Sequence, residues 1–186
     1  NMDPELLERN LFGCTEPRRA LKSREPHKFD YYPRPGDLMG STLLQEESAV
    51  EPYAREAVSA ARRQGIRLLE LRGSPHKYLR GDGMRFLRLF AAAVRDEVAR
   101  RKDAPIDVRF LVILNRGQVR QDVPEEVVGL ALKARDELGD FVAGIDLAGD
   151  EGRGAAEELA PGFARAFEEC FPVTIHAGEG EPAENI

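Results

Sequence analysis

Four short apolar runs along the chain predict four buried strands. The runs are rich in valine, isoleucine, leucine and phenylalanine, and none is longer than a typical strand. They cover residues 66–72, 106–114, 141–147 and 173–176. Because none of them shows a sustained helical period, we predict strands at these positions.

Between these runs, apolar residues recur at helical spacing. The pattern predicts helices over residues 48–64, 83–102, 124–138 and 161–170. The third begins with a proline and two glutamates and is followed by Gly139, as is typical of helix starts and ends. A helix between each pair of strands predicts a parallel sheet, because a crossover connection must return the chain to the same edge.

Two folds built from such repeats are compatible with the pattern, a doubly wound sheet and a (β/α)₈ barrel. A barrel of about 250 residues has repeats of about 31 residues, close to the intervals between the predicted strands. No GxGxxG or GxxxxGK[ST] motif follows any strand, which makes the dinucleotide and nucleotide-phosphate folds less favoured.

Residues 1–47 differ from the rest of the chain. Prolines at positions 17, 26, 33 and 35 disfavour long helices and central strands there. We predict an irregular, proline-rich N-terminal segment over 1–47, with one short helix at 4–11, and a partial barrel domain over 48–186.

Composition narrows the class of protein. With 42% hydrophobic residues the chain can bury a core, and its net charge of −6 does not favour nucleic acid as a partner. No apolar run approaches the roughly 18 residues that span a membrane, and no signal peptide is evident. Cys14 and Cys170 match no metal or redox spacing, so we expect reduced thiols and a cytoplasmic location.

Polar residues follow every predicted strand. The segments are Ser74–His76, Asn115–Gln118, Asp146–Glu151 and His176–Glu179. The carboxyl ends of parallel strands meet at one edge, where active sites of α/β proteins lie. The sequence therefore predicts an active site at this edge, where Arg116 and Arg153 are candidates for holding a phosphate group.

The segment PVTIHAGE carries the most specific chemistry. Neutral imidazole is the commonest protein ligand of zinc and similar metals, so His176 is a candidate metal ligand. Glu179 is a candidate for moving protons beside a metal-activated water. A hydrogen-bonded structural histidine remains an alternative for His176, and a simple turn remains one for DLAGDE.

Two of these motifs together resemble a known family. FVAGIDLAGDE followed by VTIHAGE is similar to the adenosine deaminase family of the amidohydrolase superfamily, and LLELRGSPHKY and VRFLVILNRGQ resemble its second and third strand segments, across residues 51–186. The resemblance implies a (β/α)₈ TIM-type barrel with one catalytic zinc, which deaminates adenosine or a related adenine nucleoside or nucleotide in purine metabolism. It implies that His176 is a zinc ligand, that Glu179 is the catalytic proton donor, and that Gly149 binds the substrate.

The chain does not contain several motifs of the family pattern. It contains no HxH pair, and the family's HG histidine and Asp-Asp pair belong to later strands. The resemblance thus assigns strands two to five of the barrel to this chain. Since a zinc site needs about three protein ligands, we expect the chain alone to be inactive, and to form a homo-oligomer or receive the missing barrel half. A non-catalytic assembly scaffold and an amidohydrolase acting on a non-purine amine are the alternatives.

Overall fold

The structure is a computed structural model that describes residues 43–116, 123–153 and 156–178. Its main helices are α1 (Glu47–Arg63), α2 (Gly83–Arg100) and α3 (Pro124–Leu138), followed by the short α4 (Ala156–Leu159) and α5 (Ala164–Glu168). The strands are β1 (Leu68–Gly73), β2 (Asp107–Asn115), β3 (Val142–Ala148) and β4 (Val173–Ile175). The described residues from Glu46 onward belong to one compact unit.

The four strands form one sheet in the order β1-β2-β3-β4, and every neighbouring pair is parallel. The spatial order follows the chain order, without the reversal that marks a doubly wound sheet. A run of sequential parallel strands, each separated from the next by a helix, is an arc of a (β/α)₈ barrel. The predicted barrel class and all four predicted strands are confirmed.

An aromatic cluster joins α2 to the sheet. Phe86 and Phe90 from α2 lie against Phe110 of β2, with ring centroids 6.3 Å and 5.7 Å apart. Phe141, directly before β3, stacks on Phe110 at 6.1 Å. These rings come from the apolar stripe of α2 and the outward positions of the sheet, so their burial fixes the helix on the outer side of the strands.

Three predicted helices are confirmed and one differs. The predicted helix at 161–170 is a 3₁₀ helix over Ala160–Phe163 that continues into the short α5. Gly162 packs so closely on Pro124 that a Cβ there would lie 2.2 Å from the proline Cβ. Docking of this turn against the start of α3 thus takes precedence over a regular helix. The predicted helix at 4–11 lies outside the described residues.

Within the described residues, β1 and β4 each pair on one side only. Large apolar side chains are exposed on both of these edge strands, with Leu68 at 60% and Ile175 at 52% exposure. Open edges with apolar side chains are surfaces that other strands cover. None of the described helices is long and apolar enough to cross a membrane.

Candidate active site

The carboxyl ends of the four strands meet at one edge, as the sequence predicts. Asn115 at the end of β2 donates from Nδ2 to Ser74 Oγ after β1, at 3.3 Å. Backbone bonds join the other ends: Arg116 N donates to Ala148 O at 2.7 Å, and His176 N donates to Leu147 O at 2.8 Å. The polar residues that follow the strands are therefore brought together on a rigid sheet.

Asp146 is the buried centre of this edge. Its side chain, near the end of β3, has no solvent exposure. Thr174 Oγ1 donates to its Oδ1 at 2.6 Å, and Arg72 Nη1 lies 3.5 Å from its Oδ2. A carboxylate is rarely buried unless it is paired, and here charged and neutral donors from β1 and β4 converge on it.

His176 completes the set of groups around Asp146. Its Nδ1 lies 3.2 Å from Asp146 Oδ1 and 3.1 Å from Oδ2, and its side chain is 33% exposed. A carboxylate only accepts hydrogen bonds, so this contact requires that Nδ1 carries the proton. In its neutral form a ring held this way presents the lone pair of Nε2, the tautomer that a metal-binding histidine adopts when a carboxylate holds its other nitrogen.

Strand register explains why these side chains meet. Asp146 is the register partner of Thr174. His176 follows Thr174 by two positions, and side chains two apart on a strand point to the same face. The sequence spacing TxH on β4 therefore places a hydroxyl and an imidazole on the same side as the aspartate of β3.

A second network lies beside the first. Arg116 Nη2 donates to His176 O at 2.8 Å, and its Nη1 lies 4.0 Å from Glu151 Oε2. The same Glu151 oxygen accepts a hydrogen bond from Gly178 N at 3.0 Å. The side chains of Arg116 and Glu151 are only 5% and 2% exposed. Arg116, a candidate for phosphate binding in the sequence, is thus engaged by the protein itself.

Gly149 occupies a tight position after β3. Its φ is +96°, and a Cβ there would lie 3.0 Å from Arg116 N and 3.3 Å from Arg116 O. Both the left-handed backbone and the close approach of two strand ends require glycine. This packing accounts for the residue type at position 149 independently of any substrate, and its role in substrate binding stays a prediction.

A zinc centre requires several nitrogen, sulfur or carboxylate donors close together. Among the described residues no group of three histidine, cysteine, aspartate or glutamate side chains could hold a metal ion. His176 nevertheless fits one zinc ligand, because its ring is oriented by Asp146 and its Nε2 has no hydrogen-bond partner among the described residues. The described residues therefore fit one ligand and its supporting carboxylate, and not a complete zinc centre of about four ligands.

Not every predicted site residue is described. Glu179 lies outside the described residues, so its position stays a prediction. Sequence reasoning gave no role to Arg72 and Thr174, and it placed Asp146 at a strand end without a function. A signal was present for Asp146, since a single aspartate within an apolar strand needs buried partners.

Comparison with known proteins agrees with these features. The family model described as Adenosine deaminase matches residues 21–186. Adenosine deaminase of Erwinia tasmaniensis is 31% identical over 183 residues, covering 94% of this chain and 53% of the relative. Adenosine deaminase of Edwardsiella ictaluri is 29% identical over 147 residues, covering 79% of this chain and 43% of the relative. The chain thus spans about half the length of the curated relatives it matches.

Solved structures show the same fold. The N6-mAMP deaminase of Arabidopsis has a TM-score of 0.69 at 23% identity, over 85% of this chain and 47% of that one. A zinc-bound amidohydrolase of Burkholderia ambifaria has a TM-score of 0.61 at 24% identity, over 76% of this chain and 38% of that one. Since the family model matches far more than half of the sequence, the chain belongs to the adenosine deaminase family.

Proposed function

We propose that the whole protein is a zinc-dependent hydrolase that removes the 6-amino group of an adenine nucleoside or nucleotide. Water is consumed, ammonia is released, and the adenine ring becomes a hypoxanthine ring. The curated relatives are adenosine deaminases, and the similar solved structures include an N6-mAMP deaminase. These relatives support the reaction class, and the substrate belongs to the proposal.

The contact between His176 and Asp146 is the observation that carries this proposal. A buried carboxylate that holds Nδ1 at 3.1 Å fixes both the tautomer and the direction of the ring. A hydrogen-bonded structural histidine would share this contact, but its ring would not need to remain partly exposed at a strand end. The arrangement therefore supports His176 as a zinc ligand through Nε2.

The roles of the other residues follow from this placement. A zinc ion supplies Lewis-acid activation of water at neutral pH. Glu179 follows His176 by three residues, and we assign it the transfer of a proton to the substrate nitrogen. We assign Gly149 contact with the purine through its backbone, because the absence of a side chain lets a flat ring approach closely.

The choice between nucleoside and nucleotide depends on a phosphate-binding group. Arg116 is buried and bonded to His176 O, so it is not the group we assign to that task. The proposal therefore includes both substrates. Two cysteines at distant positions support reduced thiols, and we propose that the protein works in the cytoplasm.

The proposal is tested by incubating an adenine compound with the zinc-loaded full-length protein and measuring the loss of adenine absorbance. Adenosine, AMP, adenine and the N6-methyl derivatives of the first two, which would release methylamine in place of ammonia, form the substrate panel. We expect turnover of at least one of them, and a loss of about 10²–10⁴-fold in Glu179→Gln, the usual contribution of a general acid–base group. Glu168→Gln, on the exposed side of α5, is the matched control and should keep full activity.

Three outcomes would refute the proposal. Failure of the zinc-loaded protein to deaminate any compound of the panel excludes the activity. Failure to bind metal under any loading condition favours instead a non-catalytic scaffold. Turnover of a non-purine amine alone would place the protein elsewhere in the amidohydrolase superfamily.

The open edges of β1 and β4 support a further part of this proposal. We propose that additional barrel strands, from the remainder of the protein or from a second copy, cover Leu68 and Ile175. Light scattering of the 186-residue chain tests this, because an isolated partial barrel should associate. A stable monomer at high concentration would contradict it.

A further inference from the structure

We propose that Arg116 and Glu151 form a buried latch that positions the segment 176–178 and, through it, Glu179. This inference rests on the proposed function for its catalytic consequence. Its structural part, the fixing of a loop, can be measured without any activity. Both residues act through the backbone of that segment, so they are positioning residues and not catalytic residues.

Arg116 holds the beginning of the segment. It follows β2, and its backbone N is bonded to Ala148 O at the end of β3. From this position its Nη2 reaches across β3 and donates to His176 O at 2.8 Å. A guanidinium is planar and always charged, so its bond to a carbonyl is stronger and more directional than a neutral one.

Glu151 holds the end of the segment. Its Oε2 accepts from Gly178 N at 3.0 Å and lies 4.0 Å from Arg116 Nη1. Gly178 has a φ of +75°, a left-handed conformation in which its N–H is presented to the carboxylate. The latch thus contacts the backbone on both sides of Ala177 and connects β2, the loop after β3 and the loop after β4.

Burial makes this pair different from the many surface ion pairs of the chain. An exposed pair contributes about 0–1 kcal/mol, and Arg88 with Glu137 is an example on the outer helices. Arg116 and Glu151 are almost completely buried, and removing one partner of such a pair leaves an uncompensated charge. Apolar residues in their place would leave His176 O and Gly178 N without these partners. Placement of two charged groups against the backbone of one short loop points to control of its geometry.

The latch has a direct consequence for the reacting groups. Glu179 is the next residue after the N–H that Glu151 holds, and His176 carries the carbonyl that Arg116 holds. These two bonds fix the backbone on both sides of Ala177, and we expect the segment so fixed to set the position of the Glu179 carboxylate relative to the imidazole. A displacement of about 1 Å can cost about 100-fold in rate, so release of the loop should lower kcat more than it changes KM.

Hydrogen exchange tests the structural part. In the full-length protein, peptides over 173–179 are compared between wild type, Glu151→Ala and Glu151→Gln. Loss of a hydrogen bond to a charged group should speed exchange of the Gly178 amide by about tenfold or more in Glu151→Ala. Glu151→Gln keeps an acceptor oxygen and should show a smaller increase. Peptides over α2 should exchange as in wild type.

Kinetics tests the catalytic part, with the zinc content of each variant measured first. At full zinc occupancy we expect kcat of Glu151→Ala to fall by about 10- to 100-fold, as for outer residues that orient metal ligands, with KM changed less than about threefold. Arg116→Lys keeps the charge but loses the planar fork that faces His176 O and Glu151, and it should retain more activity than Arg116→Ala. Glu97→Gln is the matched control, because Glu97 also pairs with a buried arginine, Arg62, between α1 and α2; it should leave kcat unchanged.

The structural part and the catalytic part of this inference can be refuted separately. If Glu151→Ala exchanges at Gly178 as slowly as wild type, the latch is refuted, whatever the protein catalyses. If exchange increases but kcat at full zinc occupancy is unchanged, the latch does not position the reacting groups and the inference is overturned. If the wild type deaminates nothing, the proposed function fails while the exchange result still decides the latch. Glu151→Gln and Arg116→Lys keep the test valid if the alanine variants do not fold.

Discussion

Asp146 of β3 holds His176 at the end of β4 through a contact of 3.1 Å between Oδ2 and Nδ1. The two residues are 30 positions apart in the chain, and strand pairing brings them together. The aspartate is fully buried, while the imidazole is partly exposed at the edge where the strands end. An oriented imidazole at the carboxyl edge of a parallel sheet is the feature from which the metal-binding hypothesis follows.

Replacement of Asp146 by asparagine should weaken zinc binding. The variant keeps the shape of the side chain but removes the charge that holds the Nδ1–H tautomer, so we expect zinc affinity to fall by about 10- to 100-fold. Titration of the full-length protein against a competing chelator measures it. Asp107→Asn, an exposed aspartate on β2 paired with Arg109, is the control. Equal zinc affinity in wild type and Asp146→Asn would show that Asp146 does not support a ligand.

Gly149→Ala should destabilise the protein. A left-handed backbone costs a residue with a side chain about 1–2 kcal/mol, and the new Cβ would also press on Arg116 N at 3.0 Å. The free energy of unfolding in urea measures the loss. Gly65→Ala is the control for backbone strain alone, since Gly65 also has a positive φ but has no atom within 4 Å of its Cβ position. A smaller loss in Gly149→Ala than in Gly65→Ala would contradict the close packing of the strand ends.

Arg62→Ala should lower the free energy of unfolding without altering the catalysed reaction. Arg62 at the end of α1 donates to three backbone carbonyls near the end of α2, those of Glu97 at 2.7 Å, Val98 at 2.8 Å and Ala104 at 3.0 Å. Loss of these bonds leaves three part-buried acceptors without this donor, so we expect a loss on the order of 3 kcal/mol. Urea unfolding measures it, and Arg63→Ala, on the exposed side of α1, should lose much less. A normal unfolding midpoint in Arg62→Ala would refute this role.

Tyr78 should make the fold sensitive to alkaline pH. Its hydroxyl accepts from Ser74 N at 3.2 Å, and burial raises its pKa above the ordinary value of 10.0. The unfolded chain then releases this proton at lower pH than the folded one, so stability is full below about pH 10 and falls as pH rises through the folded pKa. Unfolding midpoints between pH 8 and pH 11 test this. Tyr78→Phe should flatten the alkaline loss; a pH profile of this variant identical to that of the wild type would contradict it.

Much of the fold could be predicted because local pattern and global architecture agree. The stripe on α2 and the apolar runs of β2 and β3 are long and regular, and a helix between parallel strands leaves few topologies. The prediction of a single helix over 161–170 was wrong because the contact between Gly162 and Pro124 is a tertiary effect that no local period records. Strand order also needed coordinates, since βα repeats alone fit both a barrel and a doubly wound sheet.

The location of the candidate site could be predicted from the sequence, but the hydrogen-bond and ion-pair partners of its residues could not. Polar residues after strands mark the edge, and the residue type of His176 suggests a ligand. Long-range partners such as Arg72 with Asp146 depend on register across three strands, which the sequence does not state. Arg116 was misjudged as a group for a ligand because its burial against Glu151 depends on three separate chain segments.

A zinc-edge anomalous diffraction map of the zinc-loaded full-length protein tests the central claim most directly. We expect one strong peak about 2.0–2.1 Å from Nε2 of His176, the usual distance from zinc to a histidine nitrogen, with Nδ1 still in contact with Asp146. A zinc ion bound elsewhere, or a His176 ring turned so that Nε2 is packed inside the protein, would contradict the assignment of this histidine as a zinc ligand.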